Sequence, residues 1–197
     1  MAWQILTAKD FETSRWAGGI TTQLAIGPAG AQYPNRDFLW RISSAQVELE
    51  HSVFTNLPDY HRFLTVLDGR LELQIGSAPR AVLSPWTVCE FDGRTPVESW
   101  GRCTDLNLML RKGACTGAME VLRLSAGQSS LVQPDWDIFG PLLCAGRRFL
   151  VEVWSTWPPF GKPLHSTWNR RKIPCSGYED PVAIVRPIPI LHYRRAP

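Results

Sequence analysis

Arginines on alternating segments, rather than metal ligands, set the chemistry open to this sequence. Arg41, Arg62 and Arg111 fall in stretches 37–47, 62–67 and 104–111. Apolar and polar residues alternate there, so each guanidinium is expected on one face of a β-strand. A guanidinium grips a carboxylate through two parallel hydrogen bonds, which supply geometry as well as charge. Asn107, in the third stretch, both donates and accepts, and so suits an amide or formyl group. Trp16 offers an apolar wall for a small acid. Thr21 and Gln23, just beyond Gly18-Gly19, offer hydroxyl and amide groups near a cavity mouth. The candidate ligand-binding set is therefore Arg62, Arg41, Asn107, Trp16, Thr21, Gln23 and Arg111. Structural alternatives stand beside it. Arg41 can pair with Asp105, Trp40 can be core, Asn107 can satisfy a bulged backbone, and Gly18-Gly19 can be a tight turn that folds Trp16 over the barrel.

Covalent catalysis has less support. There is no Gly-x-Ser-x-Gly elbow, and neither Cys89 nor Cys103 has a histidine partner in sequence. Gly18-Gly19 lacks the flanking residues of a phosphate cradle. No catalytic residue is assigned, apart from one alternative in which His61 is a general base and Tyr60 an acid.

The elements that must hold these side chains are strands. Residues 21–26 read as a short strand stopped by Gly27-Pro28. Stretches 62–67 and 70–75 meet at Asp68-Gly69, a pair tolerant of positive φ, and this predicts a hairpin. Residues 86–91 end at a second Asp-Gly, Asp92-Gly93. Runs at 119–124 and 149–153 suggest a second, smaller β unit. Short strands with Gly/Pro turns and almost no helical periodicity argue an all-β barrel or sandwich.

Composition narrows the class. A hydrophobic content of 44% and a charged content of 20% over 197 residues are globular values. Lys9, Asp10 and Glu12 interrupt any leader-like apolar run, and no stretch approaches the roughly 18 apolar residues of a membrane span. Five cysteines, with no CxxC spacing, point to thiols in a reducing compartment, and hence to the cytoplasm. Residues 1–146 hold 12 Lys+Arg against 15 Asp+Glu, whereas 147–197 hold 9 against 3 and half of the prolines. A basic tail can touch nucleic acid, but it carries no recognition motif, so neither nucleic acid nor membrane is expected as a partner. Exposed edges and nine tryptophans make a homodimer the expected assembly.

Four ordered motifs carry a family resemblance. Ser14-Arg15-Trp16-Ala17-Gly18-Gly19-Ile20-Thr21-Thr22-Gln23-Leu24 resembles the Trp-Gly-Gly-x-Thr-x-Gln/Glu opening of the HutD/Ves family. Asp37-Phe38-Leu39-Trp40-Arg41-Ile42-Ser43 is similar to its Phe-x-Trp-Arg-x-Ser strand. Phe54-Thr55-Asn56-Leu57-Pro58-Asp59-Tyr60-His61-Arg62 is similar to its Phe-x-x-x-Pro-Gly-Tyr-x-Arg segment, and Asp105-Leu106-Asn107-Leu108-Met109-Leu110-Arg111 to its Asp-Phe-Asn-Leu-Met-x-Arg strand. The resemblance implies a cupin (RmlC-like jelly-roll) barrel built as two cupin-like units, 1–118 and 119–197. The second is divergent or incomplete, with a Pro/Arg-rich tail, because the likeness fades beyond about residue 147. It also implies a role around histidine utilisation, with N-formylglutamate or urocanate as ligands.

Set against the metal-cupin spacing anchored on Gly69, Arg62 occupies the glutamate position, and Leu57 or Pro58 that of the second histidine. Neither arginine nor an aliphatic side chain coordinates a divalent cation. His51 and His61, ten residues apart, do not restore the pair and read as surface or rim residues. No metal and no cofactor is expected. Three readings stand at this point: a carboxylate-binding protein, a metal-independent isomerase or epimerase using His61, and a non-catalytic, stress-related interaction protein with an empty barrel.

Overall fold

The computed structural model describes the backbone of residues 2–6, 8–123, 129–132, 138–145, 148–155, 171–174 and 181–189, and the side chains of residues 6 and 8–121. Every helix or strand among them is a strand. The first eleven are β1 (Ala2–Leu6), β2 (Glu12–Trp16), β3 (Gly19–Gly27), β4 (Trp40–Val47), β5 (His51–Val53), β6 (Tyr60–Gly69), β7 (Leu71–Ile75), β8 (Ala81–Leu83), β9 (Cys89–Asp92), β10 (Val97–Trp100) and β11 (Cys103–Arg111). Six follow: β12 (Cys115–Arg123), β13 (Ser129–Val132), β14 (Ile138–Ala145), β15 (Arg148–Ser155), β16 (Arg171–Pro174) and β17 (Pro181–Pro189). Among the described residues no helix is long and apolar enough to cross a membrane.

The strands β2-β3-β4-β11-β6-β9 form an antiparallel sheet, and a shorter sheet, β5-β10-β7-β8, lies across its inner face. Alternation explains why they pack. Val47, Leu64, Val66 and Cys103 of the large sheet meet Leu71, Leu73, Leu83 and Val97 of the small one, with Phe91 at the edge. The opposite phase of the same strands, Trp40, Ile42, Phe63, Leu106, Leu108 and Leu110, packs against Cys115 and Met119 of β12 and Leu6 of β1. Both faces of β11 are therefore buried, which is why its central residues are all inaccessible. Burying a leucine such as Leu106 or Leu108, at 0% exposure, contributes about 2 kcal/mol.

Beyond Arg111 the chain builds a third sheet, in the order β1-β15-β14-β17-β12, and a short ladder of β13 with β16. β1, from the start of the chain, pairs with β15 from Ala2↔Ser155 to Leu6↔Val151. Part of the proline-rich tail is regular: β17 pairs with β12 along its length, and β14 covers only its 183–185 stretch. Pro181, Pro187 and Pro189 fall outside that doubly paired stretch, where a missing N–H is tolerated. Pro158-Pro159 lie outside the described residues.

The Asp68-Gly69 hairpin does not form. β6 pairs with β11 and β9, and β7 pairs with β10 and β8, so the two strands belong to different sheets. Gly69 is where the chain steps from one sheet to the other. Its φ is +87°, and a Cβ there would lie 2.4 Å from the carbonyl oxygen of Arg102. Positive φ and close backbone approach, rather than a two-residue turn, account for this glycine.

Candidate functional site

Register brings the site together. Across the large sheet, Asn107 stands opposite Ser43, Met109 opposite both Arg41 and Arg62, and Asp105 opposite Ala45. Thr21 is opposite Ala45 and Ser14 opposite Thr21. Directly paired residues of antiparallel strands point to the same face, so one inward phase carries all of these side chains. They line a cavity of about 270 Å³ between the two sheets. Trp16, Tyr33 and Phe54 form apolar parts of its wall.

Two guanidiniums are buried in this wall, Arg41 at 5% and Arg62 at 6% exposure. Arg41 donates from Nε to Gln23 Oε1 at 2.8 Å and from Nη1 to Ser43 Oγ at 3.0 Å, and its guanidinium lies 4.3 Å from the centre of the Tyr33 ring. Both hydrogen-bond acceptors are neutral. Arg62 lies between Phe54 and Phe91, 5.0 and 5.1 Å from their ring centres, and its Nε has no acceptor among the described residues. Burial pushes both arginines down to about 10, because removing a charge from water disfavours it. Asp105 is the acidic member of the wall. Burial pushes its carboxyl up to about 7, against the opposing pulls of the Ala45 N–H and Arg62. Its side chain accepts a hydrogen bond from Ala45 N at 3.1 Å. The cavity thus holds two cations and, at most, one negative charge among its lining residues.

Of the residues expected from sequence, Arg62, Arg41, Asn107, Trp16 and Thr21 meet in this cavity. Gln23 stands behind them, holding Arg41. Arg111 does not join them. Its guanidinium bonds the carbonyl oxygens of Phe38 and Arg36 and the hydroxyl of Tyr60, beside the packed cluster of Phe38, Leu57, Tyr60 and Met109. Tyr60 is likewise committed, donating to the carbonyls of Arg36 and Phe38. His61 is exposed on the opposite phase of β6, so the His61/Tyr60 pair is not assembled around the cavity. His51 is exposed beside Glu98, at 2.8 Å.

The structural alternatives resolve residue by residue. Trp40 is core, packed so closely on Gly27 that a Cβ there would lie 2.4 Å from its ring. Arg41 does not pair with Asp105; the cation acting on that carboxylate is Arg62. The β11 bulge lies at Thr104/Asp105, two residues before Asn107, whose Oδ1 is buried without a partner among the described residues. Gly18 is the seat of Trp16, since a Cβ there would lie 2.0 Å from the indole. Asp105, Ser43, Tyr33 and Phe54 were missed as site residues. Ser43 and Asp105 were readable as same-phase neighbours of Arg41 and Asn107, whereas Tyr33 arrives from a loop that carries no periodic signal. Among the described residues no three His, Cys, Asp or Glu side chains cluster in a way that could hold a metal ion.

An antiparallel double-sheet barrel with a side-chain-lined cavity is a cupin-like fold. A family model, HutD, matches residues 8–155, and the chain belongs to the HutD family. Two solved structures share its fold. HutD from Pseudomonas fluorescens SBW25, in a formate condition, is 18% identical with a TM-score of 0.72 over 95% of this chain and 99% of its own. A conserved protein of unknown function from Pseudomonas aeruginosa PAO1 is 19% identical, also at 0.72, over 95% of this chain and all of its own. No curated protein matches the chain.

Proposed function

We propose that this HutD-type cupin protein binds a small carboxylate in the barrel cavity, without metal, and that its role is to sense or buffer an intermediate of histidine utilisation such as N-formylglutamate or urocanate. One observation carries the reading. Arg62 is a buried guanidinium held between two phenyl rings, with a hydrogen-bond donor that nothing among the described residues accepts. An orphaned charged donor inside a protein is costly unless something else fills the position, and a ligand carboxylate supplies both the charge and the acceptor. Arg41 adds a second cation in the same wall. Trp16 and Phe54 cover the apolar part of a small acid, and Thr21 and Asn107 offer polar contacts to the remainder.

The test is a thermal-shift titration of the full chain with N-formyl-L-glutamate, urocanate and glutarate. Binding stabilises the fold by RT ln(1 + [L]/Kd), about 2.7 kcal/mol at a hundredfold excess over Kd, and so raises the melting temperature. The shift is expected in the wild type and in His61→Ala, and is expected to vanish in Arg62→Met. No shift with any acid, or an undiminished shift in Arg62→Met, refutes the reading.

A further inference from the structure

The cavity leaves unfilled groups of two kinds. Among the described residues, Arg62 Nε is a buried donor without an acceptor, and Asn107 Oδ1 is a buried acceptor without a donor. Asp105 lies two residues along β11 from Asn107, in the same phase, and its carboxylate accepts only from Ala45 N among the described residues. A ligand offering nothing but carboxylate oxygens would satisfy Arg62 and set its remaining surface against two further acceptors. We propose that Asp105 and Asn107 form an acceptor subsite for an N–H group of the ligand, so that the cavity selects acids bearing an ammonium or amide N–H close to the carboxylate. This rests on the carboxylate-binding reading above and makes Asp105 its specificity-determining residue.

The ladder places the two halves of such a ligand. Asn107 is paired with Leu64 and Met109 with Arg62, so Arg62 and Asn107 are diagonal neighbours on adjoining strands. Diagonal partners lie about 7–8 Å apart along the sheet, so both side chains serve the same small volume of the cavity. Arg62 also exerts an attractive field on Asp105, so the acidic and basic sides of the subsite are within reach of one small molecule.

Such a subsite couples binding to protonation. The charged or titratable groups around Asp105 are Arg62 on β6, Arg41 on β4, Cys103 on β11 itself and Tyr33 at the cavity wall. The facing small sheet and the loop after it contribute Ser52, Val53, Phe54 and Thr55, none of them titratable in this range. With its carboxyl pushed up to about 7, Asp105 is the group that changes state near neutrality. An N–H donor favours the ionised carboxylate, so affinity for donor-bearing acids rises as pH rises through 7. A bare dicarboxylate favours the protonated form, so its affinity falls.

Calorimetric titration of the full chain with L-glutamate, N-formyl-L-glutamate and glutarate at pH 6 and pH 8 decides the matter. The two N–H acids are expected to bind at least tenfold more tightly than glutarate at pH 8. L-Glutamate is expected to gain about tenfold between pH 6 and pH 8, the change in ionised fraction across a group titrating near 7. Asp105→Asn is expected to flatten that slope and narrow the preference, whereas a merely structural role for Asp105 would move all three acids together. Glutarate binding as tightly as L-glutamate, with Arg62→Met abolishing both, overturns the acceptor subsite and leaves the carboxylate reading intact. No heat from any of the three overturns both.

Discussion

Replacing Arg62 by methionine should make the empty protein more stable and useless at once. Burial lowers its proton affinity from the usual guanidinium range to about 10, which at about 1.4 kcal/mol per pH unit is a penalty of about 3 kcal/mol on holding the charge inside. The sign is fixed by direction. A cation whose folded value is depressed destabilises the fold at every pH below that value, so the penalty is fully present at pH 7. Methionine removes the charge, keeps an unbranched apolar stem and offers a sulfur to Phe54 and Phe91 in place of the guanidinium. Losing the two ring–cation contacts offsets roughly 1 kcal/mol of the gain. Asp105 loses an attractive neighbour and holds its proton more firmly, so no unpaired carboxylate is left behind. The net expectation is a gain of about 1–2 kcal/mol, which for a chain of this size is roughly 2–8 °C in melting temperature. Saturating ligand should reverse the order, because only the wild type is lifted by binding. The assay is thermal unfolding followed by circular dichroism, with and without N-formyl-L-glutamate. A variant that melts more than about 5 °C below the wild type without ligand would show that Arg62 is structural, and the reasoning would fail.

Other perturbations separate the remaining roles. Arg111→Met strips donors from the Arg36 and Phe38 carbonyls and the Tyr60 hydroxyl; it should lower stability by about 3 kcal/mol while the surviving protein keeps its ligand-induced shift, both readable in one melting series. Asp105→Asn should stabilise the protein more at pH 8 than at pH 5. The wild-type carboxyl, raised from 3.8 to about 7, costs stability as pH climbs from the unfolded value through the folded one. The gap in melting temperature should widen by about 5 °C between those pH values. Gly18→Ala should dislodge the indole of Trp16; a shift in tryptophan emission and weaker ligand binding are expected, with a stability change below about 1 kcal/mol because Trp16 is already 40% exposed.

How far the sequence spoke depended on which physical rule each residue obeyed. Period-two alternation is a local property, so the separation of Leu106, Leu108 and Leu110 from Asp105, Asn107 and Met109 was legible, as were the shared phases of Arg41 and Ser43. Alternation gives a side chain's face but not its depth along the barrel. Arg111 has the right phase yet sits past Met109, where backbone carbonyls take its donors. Asp68-Gly69 misled because positive φ serves a sheet-to-sheet crossing as well as a hairpin, and only the long-range contact with Arg102 distinguishes them. That Asp105 feels the charge of Arg62 rather than Arg41 likewise depends on depth and rotamer, which no spacing encodes.

The opening strand of the chain has its hydrogen-bonding partner in β15, running from Ala2 opposite Ser155 to Leu6 opposite Val151. During synthesis β1 emerges well before β15 and waits, its edge toward β15 unsatisfied, until the strands between them have followed. Closure of that ladder joins residues far apart in sequence and carries a loop-entropy barrier, so a deletion that removes β1 would be felt at β15.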